Sequence, residues 1–247
     1  MVQFCGLSSE AAKIMGAIRD NAKAPSVRTS IEDLAALIDQ LVTEREVSPF
    51  ISPDSLVIDR LAAHHAAGSL TLDEIAALVL ALVLAGTEMT DRLMANVAYL
   101  AAVHPEVLDL IQGDPASAGR VIDELLRWQP ISKGLVRWAT SDTEINGTPV
   151  AAGEMVFLSF GAANSDPAAF ACPHQFNPSR PDVASHLAFG TGEHACLGAD
   201  LARLEATTLL HSIAHRYQAI EIYGSPRWLA HPATRGFGRL ELSITPR

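Results

Sequence analysis

The strongest constraint on this chain is an apolar run. From Ile75 to Gly86 there are twelve residues without a charge, beginning just after Asp73 and Glu74 and running into Glu88. A bilayer span needs roughly 20 such residues, so this run is too short to cross a membrane. It is opened by Thr71 and Glu74, a T-x-x-E capping box ahead of an apolar stretch, which marks the start of a helix. A helix that is hydrophobic on every face belongs inside a core, so the run predicts a buried central helix that the rest of the chain must enclose. At 247 residues, 49% of them hydrophobic and 19% charged, the chain has enough material to do so. The mean hydropathy of +0.19 then reflects a large core, and the chain is expected to be soluble.

Helices are predicted on both sides of this run. Ser8–Asn21 and Ser30–Glu46 carry apolar residues at helical spacing, with a break at Pro25 between them. Pro49 and Pro53 punctuate the next joint, and Asp54–Ala67 reads as a further short helix. The central helix extends from Thr71 to about Val103, where His104-Pro105 stops it, and Glu106–Gln112 and Ala118–Trp128 follow. After Pro130 the pattern changes. Val136–Ala139, Glu144–Ile145, Pro149–Val150 and Met155–Phe160 read as short strands, with turns at Asn146-Gly147 and Ala152-Gly153. A proline-punctuated coil covers Asn164–Pro181, and a Gly-bearing loop leads into a last helix, Leu197–Tyr217, and a β-like tail. The fold class is mainly α with a small β region, α+β, in one domain over residues 1–247. Within it, residues 1–130 are helical, 131–196 form a β and coil meander with the loop, 197–217 the last helix and 218–247 the tail.

The net charge of −10 repels phosphate backbones, and no basic run interleaved with aromatics is present, which excludes nucleic acid as a partner. MVQFCGLSSE has neither the basic start nor the apolar core of a signal peptide. Three widely spaced cysteines, Cys5, Cys172 and Cys196, argue against a disulfide framework and for a reducing, cytoplasmic setting.

Cys196 stands in the segment Phe189-Gly-Thr-Gly-Glu-His-Ala-Cys-Leu-Gly198. It lies where a glycine-bearing loop meets a helix, so the helix dipole and free backbone N–H groups suit a thiolate. Gly190 and Gly192 let the backbone fold closely around whatever the sulfur binds, and Gly198 clears a side chain where a flat ligand could lie. Phe189 is placed to shield the sulfur from water. One thiolate beside a flat, dry surface suits a haem iron, whereas zinc wants three or four protein ligands. A lone cysteine is ordinarily a small buried hydrophobe. The spacing F-x-x-G-x-x-x-C-x-G, however, arises by chance in only roughly 4 of 10,000 chains of this composition, which decides for the binding reading.

The segment resembles the haem-binding loop of the haem-thiolate monooxygenases, the cytochrome P-450 family, and especially its soluble bacterial branch. The resemblance extends in order along the chain. Ala85 to Thr90, AGTEMT, matches the central-helix motif over the haem, with Ala85 and Gly86 against the cofactor and Glu88 and Thr90 as distal polar groups. Glu124 and Arg127 match the E-x-x-R pair; with 14 Glu and 15 Arg, about 0.85 such pairs is expected by chance, so the pair counts only in this context. AANSDP, Ala162–Pro167, and FNPSR, Phe176–Arg180, match the meander, and Arg180 is expected to complete a buried network with Glu124 and Arg127. The resemblance implies haem b with Cys196 as its axial iron ligand, and propionates held by Arg137 and His194. It implies reductive activation of dioxygen and insertion of one oxygen atom into a small organic substrate, with electrons from a ferredoxin-type donor.

Two departures from the family follow. In the family a threonine follows the acidic residue at the position of Glu88, and the pair steers protons to dioxygen so that the O–O bond breaks. Here Met89 follows, and Thr90 projects about 100° further round the helix. A thioether cannot donate a proton, so either poor coupling of reductant to product is expected, or a substrate hydroxyl or peroxide takes the place of the missing hydroxyl. In addition, MVQFCGLSSE aligns well inside a typical member, so the chain is expected to lack the N-terminal part of the fold. Exposed apolar surface, self-association or a complementing partner would then follow. A competing reading is a non-catalytic relative that uses the fold to stabilise another protein.

Overall fold

The computed structural model describes residue 13 and residues 26–44 and 56–247. Apart from Lys13, the helix expected over Ser8–Asn21 lies outside them, as do Pro25, the joint at Pro49 and Pro53, and Cys5. Among the described residues no helix is long and apolar enough to cross a membrane. The chain forms two compact units that divide between Glu88 and Met89.

In the first unit, α1 (Ser26–Thr43), α2 (Val57–Ala66) and the start of α3 (Leu72–Val103) share one core. Its members recur every four residues: Leu34, Ile38 and Val42; Ile58 and Ala62; Ile75, Val79 and Val83. That spacing places one stripe of each helix inward. The capping box forms as the sequence predicts. Thr71 donates its backbone N–H to Glu74 Oε2 at 2.8 Å, and the Glu74 amide donates to Thr71 Oγ1 at 3.3 Å. The Thr71 amide, together with the Thr71 hydroxyl, holds the Glu74 carboxyl below its usual pKa.

Two expectations are corrected here. The apolar run is not buried on every face: Leu78 and Leu84 are 43% and 37% exposed beside the fully buried Ile75 and Val79. Among the described residues, α1 and α2 pack on one stripe of this part of α3, the one that carries Ile75, Val79 and Val83. The helix expected at Ser30–Glu46 starts earlier and stops at Thr43.

The second unit holds the rest of α3 with α4 (Glu106–Gly113), α5 (Ala118–Trp128), α6 (Phe160–Ala163) and α7 (Ala199–Arg216). Leu93, Val97 and Leu100 of α3 pack with Val121, Ile122 and Leu125 of α5 and Leu210 and Ile213 of α7. Each such buried aliphatic side chain stabilises by about 1.5–3 kcal/mol relative to exposure. The strands pair antiparallel in twos: β1 (Gly134–Trp138) with β4 (Met155–Ser159), β2 (Thr143–Ile145) with β3 (Thr148–Val150), β5 (Tyr217–Ile222) with β8 (Leu242–Pro246), and β6 (Arg227–Trp228) with β7 (Phe237–Arg239). Asn146 and Gly147, at φ 49° and 79°, make the tight turn between β2 and β3 that the Asn-Gly pair predicts. At Gly134 a Cβ would collide with the Leu158 carbonyl oxygen, so only glycine lets β1 approach β4. The strand expected at Met155–Phe160 ends at Ser159, whose hydroxyl accepts from the Ala162 amide at 3.2 Å and turns the chain into α6. The fold is mainly α with small sheets, as expected.

Candidate functional site

The site is built outward from α5. Its periodicity buries Glu124 and Arg127 on the core face, both 0% exposed, where isolated charges would be very costly. They are not isolated. Arg127 Nε and Nη2 donate to Glu124 Oε2 and Oε1 at 2.7 and 2.9 Å, a two-pronged pairing. Arg180, 4% exposed, shares its Nε between the same two oxygens at 3.0 and 3.1 Å, and the Asn177 amide adds a contact of 2.8 Å. Further guanidinium hydrogens go to carbonyls of the coil: Arg127 to Asn164, Pro173 and Gln175, and Arg180 to Ala171 and Gln175. A coil without sheet or helix has carbonyls that need such donors. The network expected between Glu124, Arg127 and Arg180 is therefore present, and it fastens residues 164–180 to α5.

The cysteine loop follows. Gly190 and Gly192 stand at φ 69° and 78°, a backbone conformation that side chains disfavour, and a single 3₁₀ turn covers Gly192–His194. The loop is closed by the Cys196 amide donating to the Phe189 carbonyl at 2.9 Å. Gly198 caps α7, and a Cβ placed on it would meet nothing within 4 Å. Phe189, Gly190, Gly192, His194, Cys196 and Gly198 thus lie on one loop. His194, Cys196 and Gly198 are exposed, and Leu197 is 89% exposed.

One local boundary changes: the last helix begins at Ala199 and ends at Arg216, narrower than Leu197–Tyr217, because Gly198 is the cap. The Cys196 amide is taken by the Phe189 carbonyl. Cys196 is exposed, and the Phe189 ring lies 4.7 Å beneath the Arg203 guanidinium.

That arginine belongs to a cluster for which the sequence gives no signal. Asp123, next to Glu124 on α5, accepts from Arg203 Nε of α7 at 2.8 Å, and His186 Nε2 lies 3.3 Å from the same oxygen. The Ala188 amide donates to His186 Nδ1 at 3.2 Å, which assigns the ring proton to Nε2, facing Asp123. Burial raises the Asp123 pKa, but the contacts from His186 and Arg203 outweigh it and hold the carboxyl below its ordinary value. No motif spacing links residues 123, 186 and 203; only packing brings them together.

The other predicted residues fall elsewhere. Ala85, Gly86 and Glu88 belong to the first unit, and Thr90 and Arg137 to the second with the loop. Glu88 is exposed, which corrects its expected place inside a buried helix and follows from the one-sided packing of α3. Arg137 is exposed on β1 and donates from Nη1 to the Val136 carbonyl at 2.9 Å. Among the described residues no group of three or more His, Cys, Asp or Glu could hold a metal ion. A cleft of about 440 Å³ in the second unit, lined by Trp128, Lys133, Trp228 and Arg235 among others, includes none of the predicted residues.

Residues 118–242 match the family model for cytochrome P450. The chain is 30% identical over 246 residues to a beta-dihydromenaquinone-9 omega-hydroxylase of Mycobacterium tuberculosis, covering 99% of this chain and 49% of that protein. It is 34% identical over 219 residues to an epothilone C/D epoxidase of Sorangium cellulosum, covering 88% of this chain and 51% of the relative. It spans about half the length of these curated relatives. The solved structure of cytochrome P450 CYP109Q5 from Chondromyces apiculatus superposes with a TM-score of 0.87 at 29% identity, over 100% of this chain and 63% of that one. With the family model spanning α5, the coil, the cysteine loop and α7, this chain belongs to the cytochrome P450 family.

Proposed function

We propose that this chain binds haem b through Cys196 and acts as a monooxygenase on a small organic substrate. The observation that carries the reading is the loop itself. A single thiol stands exposed between two left-handed glycines and a glycine cap that leaves open space, with the apolar Leu197 beside it. One soft donor next to uncluttered, partly apolar surface fits a flat iron porphyrin, which needs one protein ligand. When bound, the haem supplies reductive activation of dioxygen, one oxygen atom going to substrate and the other to water.

The chain's own residues have distinct duties in this reading. Cys196, as thiolate, would be the one protein ligand to the haem iron and would donate electron density to it. Gly190, Gly192 and Gly198 keep side chains out of the way, and the Arg137 guanidinium and the His194 imidazole bind propionate oxygens. Ala85 and Gly86 leave room on the distal side, while the Glu88 carboxylate and Thr90 Oγ1 pass protons. Met89 can pass none, so product formed per reductant consumed is low and rises in Met89→Thr; an unchanged ratio overturns that assignment. The names of the relatives, a hydroxylase and an epoxidase, support oxygen insertion as the reaction class. Electrons come from a ferredoxin-type donor. The exposed Trp138, Met155 and Phe157 of the β1–β4 ribbon support self-association, which light scattering checks and a monodisperse monomer contradicts.

The decisive experiment adds haem, reduces the protein, exposes it to carbon monoxide and records the spectrum. A red-shifted Soret band that vanishes in Cys196→Ala supports the reading. Absence of haem binding overturns it in favour of a non-catalytic, partner-stabilising relative.

A further inference from the structure

We propose that Asp123, His186 and Arg203 are positioning residues for Cys196: they fix Phe189, whose carbonyl in turn seats the cysteine. The proposal rests on the haem-thiolate reading above and adds to it residues that neither the loop motif nor the E-x-x-R pair contains.

Three separate segments meet at the Asp123 carboxylate. One of its oxygens takes both Arg203 Nε at 2.8 Å and His186 Nε2 at 3.3 Å. Because Arg203 spends its Nε there, the plane of its guanidinium is oriented, and its central carbon lies 4.7 Å from the Phe189 ring centroid. A cation over an aromatic face is attracted to the ring, and Arg holds this geometry better than Lys because its fork is rigid. The His186 ring, 6.0 Å from that of Phe189, flanks it as well.

The backbone of the same segment is pinned independently. The Leu187 amide donates to Asn164 Oδ1 at 2.7 Å, and the Ala188 amide to His186 Nδ1 at 3.2 Å. Each residue from His186 to Phe189 therefore has an assigned contact. Beyond them, Thr191 to Gly198 are all exposed. The cysteine is tied to the pinned segment by its amide on the Phe189 carbonyl at 2.9 Å, while its own carbonyl accepts the Ala199 amide of α7 at the longer distance of 3.3 Å. A metal ligand on an exposed loop keeps its geometry only if a neighbouring element is rigid, and this cluster provides that element.

The test uses the full chain loaded with haem, reduced and bound to carbon monoxide. The readout is the ratio of thiolate-ligated to non-thiolate-ligated spectral forms, with far-UV circular dichroism as the check on folding. Arg203→Ala and Asp123→Asn should each lower the ratio about threefold or more, the scale of one charge-assisted contact. The double variant should be little worse than either single change, because both break one link. Arg203→Lys keeps the charge without the flat fork and should fall between Arg203→Ala and the parent; it decides the matter if Arg203→Ala does not fold. Ile213→Val, a core change on the same helix, should lower the unfolding midpoint without moving the ratio. Folded Arg203 variants with the parent's ratio overturn the proposal, as does an Ile213→Val variant that moves the ratio equally. A parent with no Cys196-dependent red-shifted band is a different failure, that of the haem-thiolate reading itself.

Discussion

Two neighbouring acids on α5 anchor two neighbouring regions, and they do so differently. Glu124 is fully buried, faces two guanidinium groups, and through them fastens a coil whose carbonyls accept further bonds from both arginines. The Asp123 side chain is 18% exposed, faces one guanidinium and one imidazole, and steadies the segment leading to a loop that is itself open to solvent. The first region spends its charged groups on internal contacts and is suited to holding shape. The second leaves its terminal thiol unused by the protein, which is what a ligand-binding loop requires. The contrast separates scaffold from chemistry around a single helix.

The contrast is broken most severely at Glu124. Glu124→Gln keeps the shape but leaves two buried guanidinium groups without their counter-charge, a loss of about 3–5 kcal/mol. Against a domain stability of about 5–15 kcal/mol this should leave the second unit largely unfolded or near it, which urea unfolding measures. A variant with parental stability would remove the distinction between the two acids.

Asp123→Asn should cost less, about 1–2 kcal/mol near neutral pH, since a partly buried carboxylate that still reaches solvent loses a charge-assisted contact but not a fully buried charge balance. It should also change the acid response. The Asp123 pKa is lowered in the folded state, so its contribution is present above the unfolded-state pKa, near 3.8, and is lost as pH falls through the folded value. The parent should therefore lose stability between about pH 4 and the lower folded value, and the Asn variant should show a flatter acid limb. Identical limbs would mean that the Asp123 contacts contribute nothing to folding.

The smallest effect is expected at Cys196, whose side chain is exposed. Cys196→Ala should change the stability of the cofactor-free protein by at most about 0.5 kcal/mol, the scale of an ordinary surface substitution. The same change should abolish thiolate ligation. A large loss of stability would place the cysteine with the scaffold instead of the chemistry.

Much of this is legible in the residues. The capping box at Thr71 and Glu74, the Asn146-Gly147 turn and the helix stop at His104-Pro105 are local, set by dihedral preferences and hydrogen bonds within a few residues, and they form where the sequence puts them. The loop motif from Phe189 to Gly198 is legible for the same reason, since its glycines answer to backbone conformation. The Glu124, Arg127 and Arg180 network is readable only by resemblance, because a three-residue spacing on a helix recurs by chance and Arg180 is far away in sequence. The burial of α3 is not legible at all, as composition tells how apolar a helix is but not how many faces its neighbours cover.

The sequence by itself determined most of the described helices, the two hairpins before the coil, the thiol-bearing loop and the family. Tertiary structure alone decided that the first turns of α3 bury one stripe, that Phe189 sits beneath Arg203, and that Asp123 gathers His186 and Arg203. The reason is physical: local structure follows from short-range sterics and hydrogen bonds written into adjacent residues. A contact between residues 123, 186 and 203 depends on where three packed segments come to rest, and no local spacing encodes it.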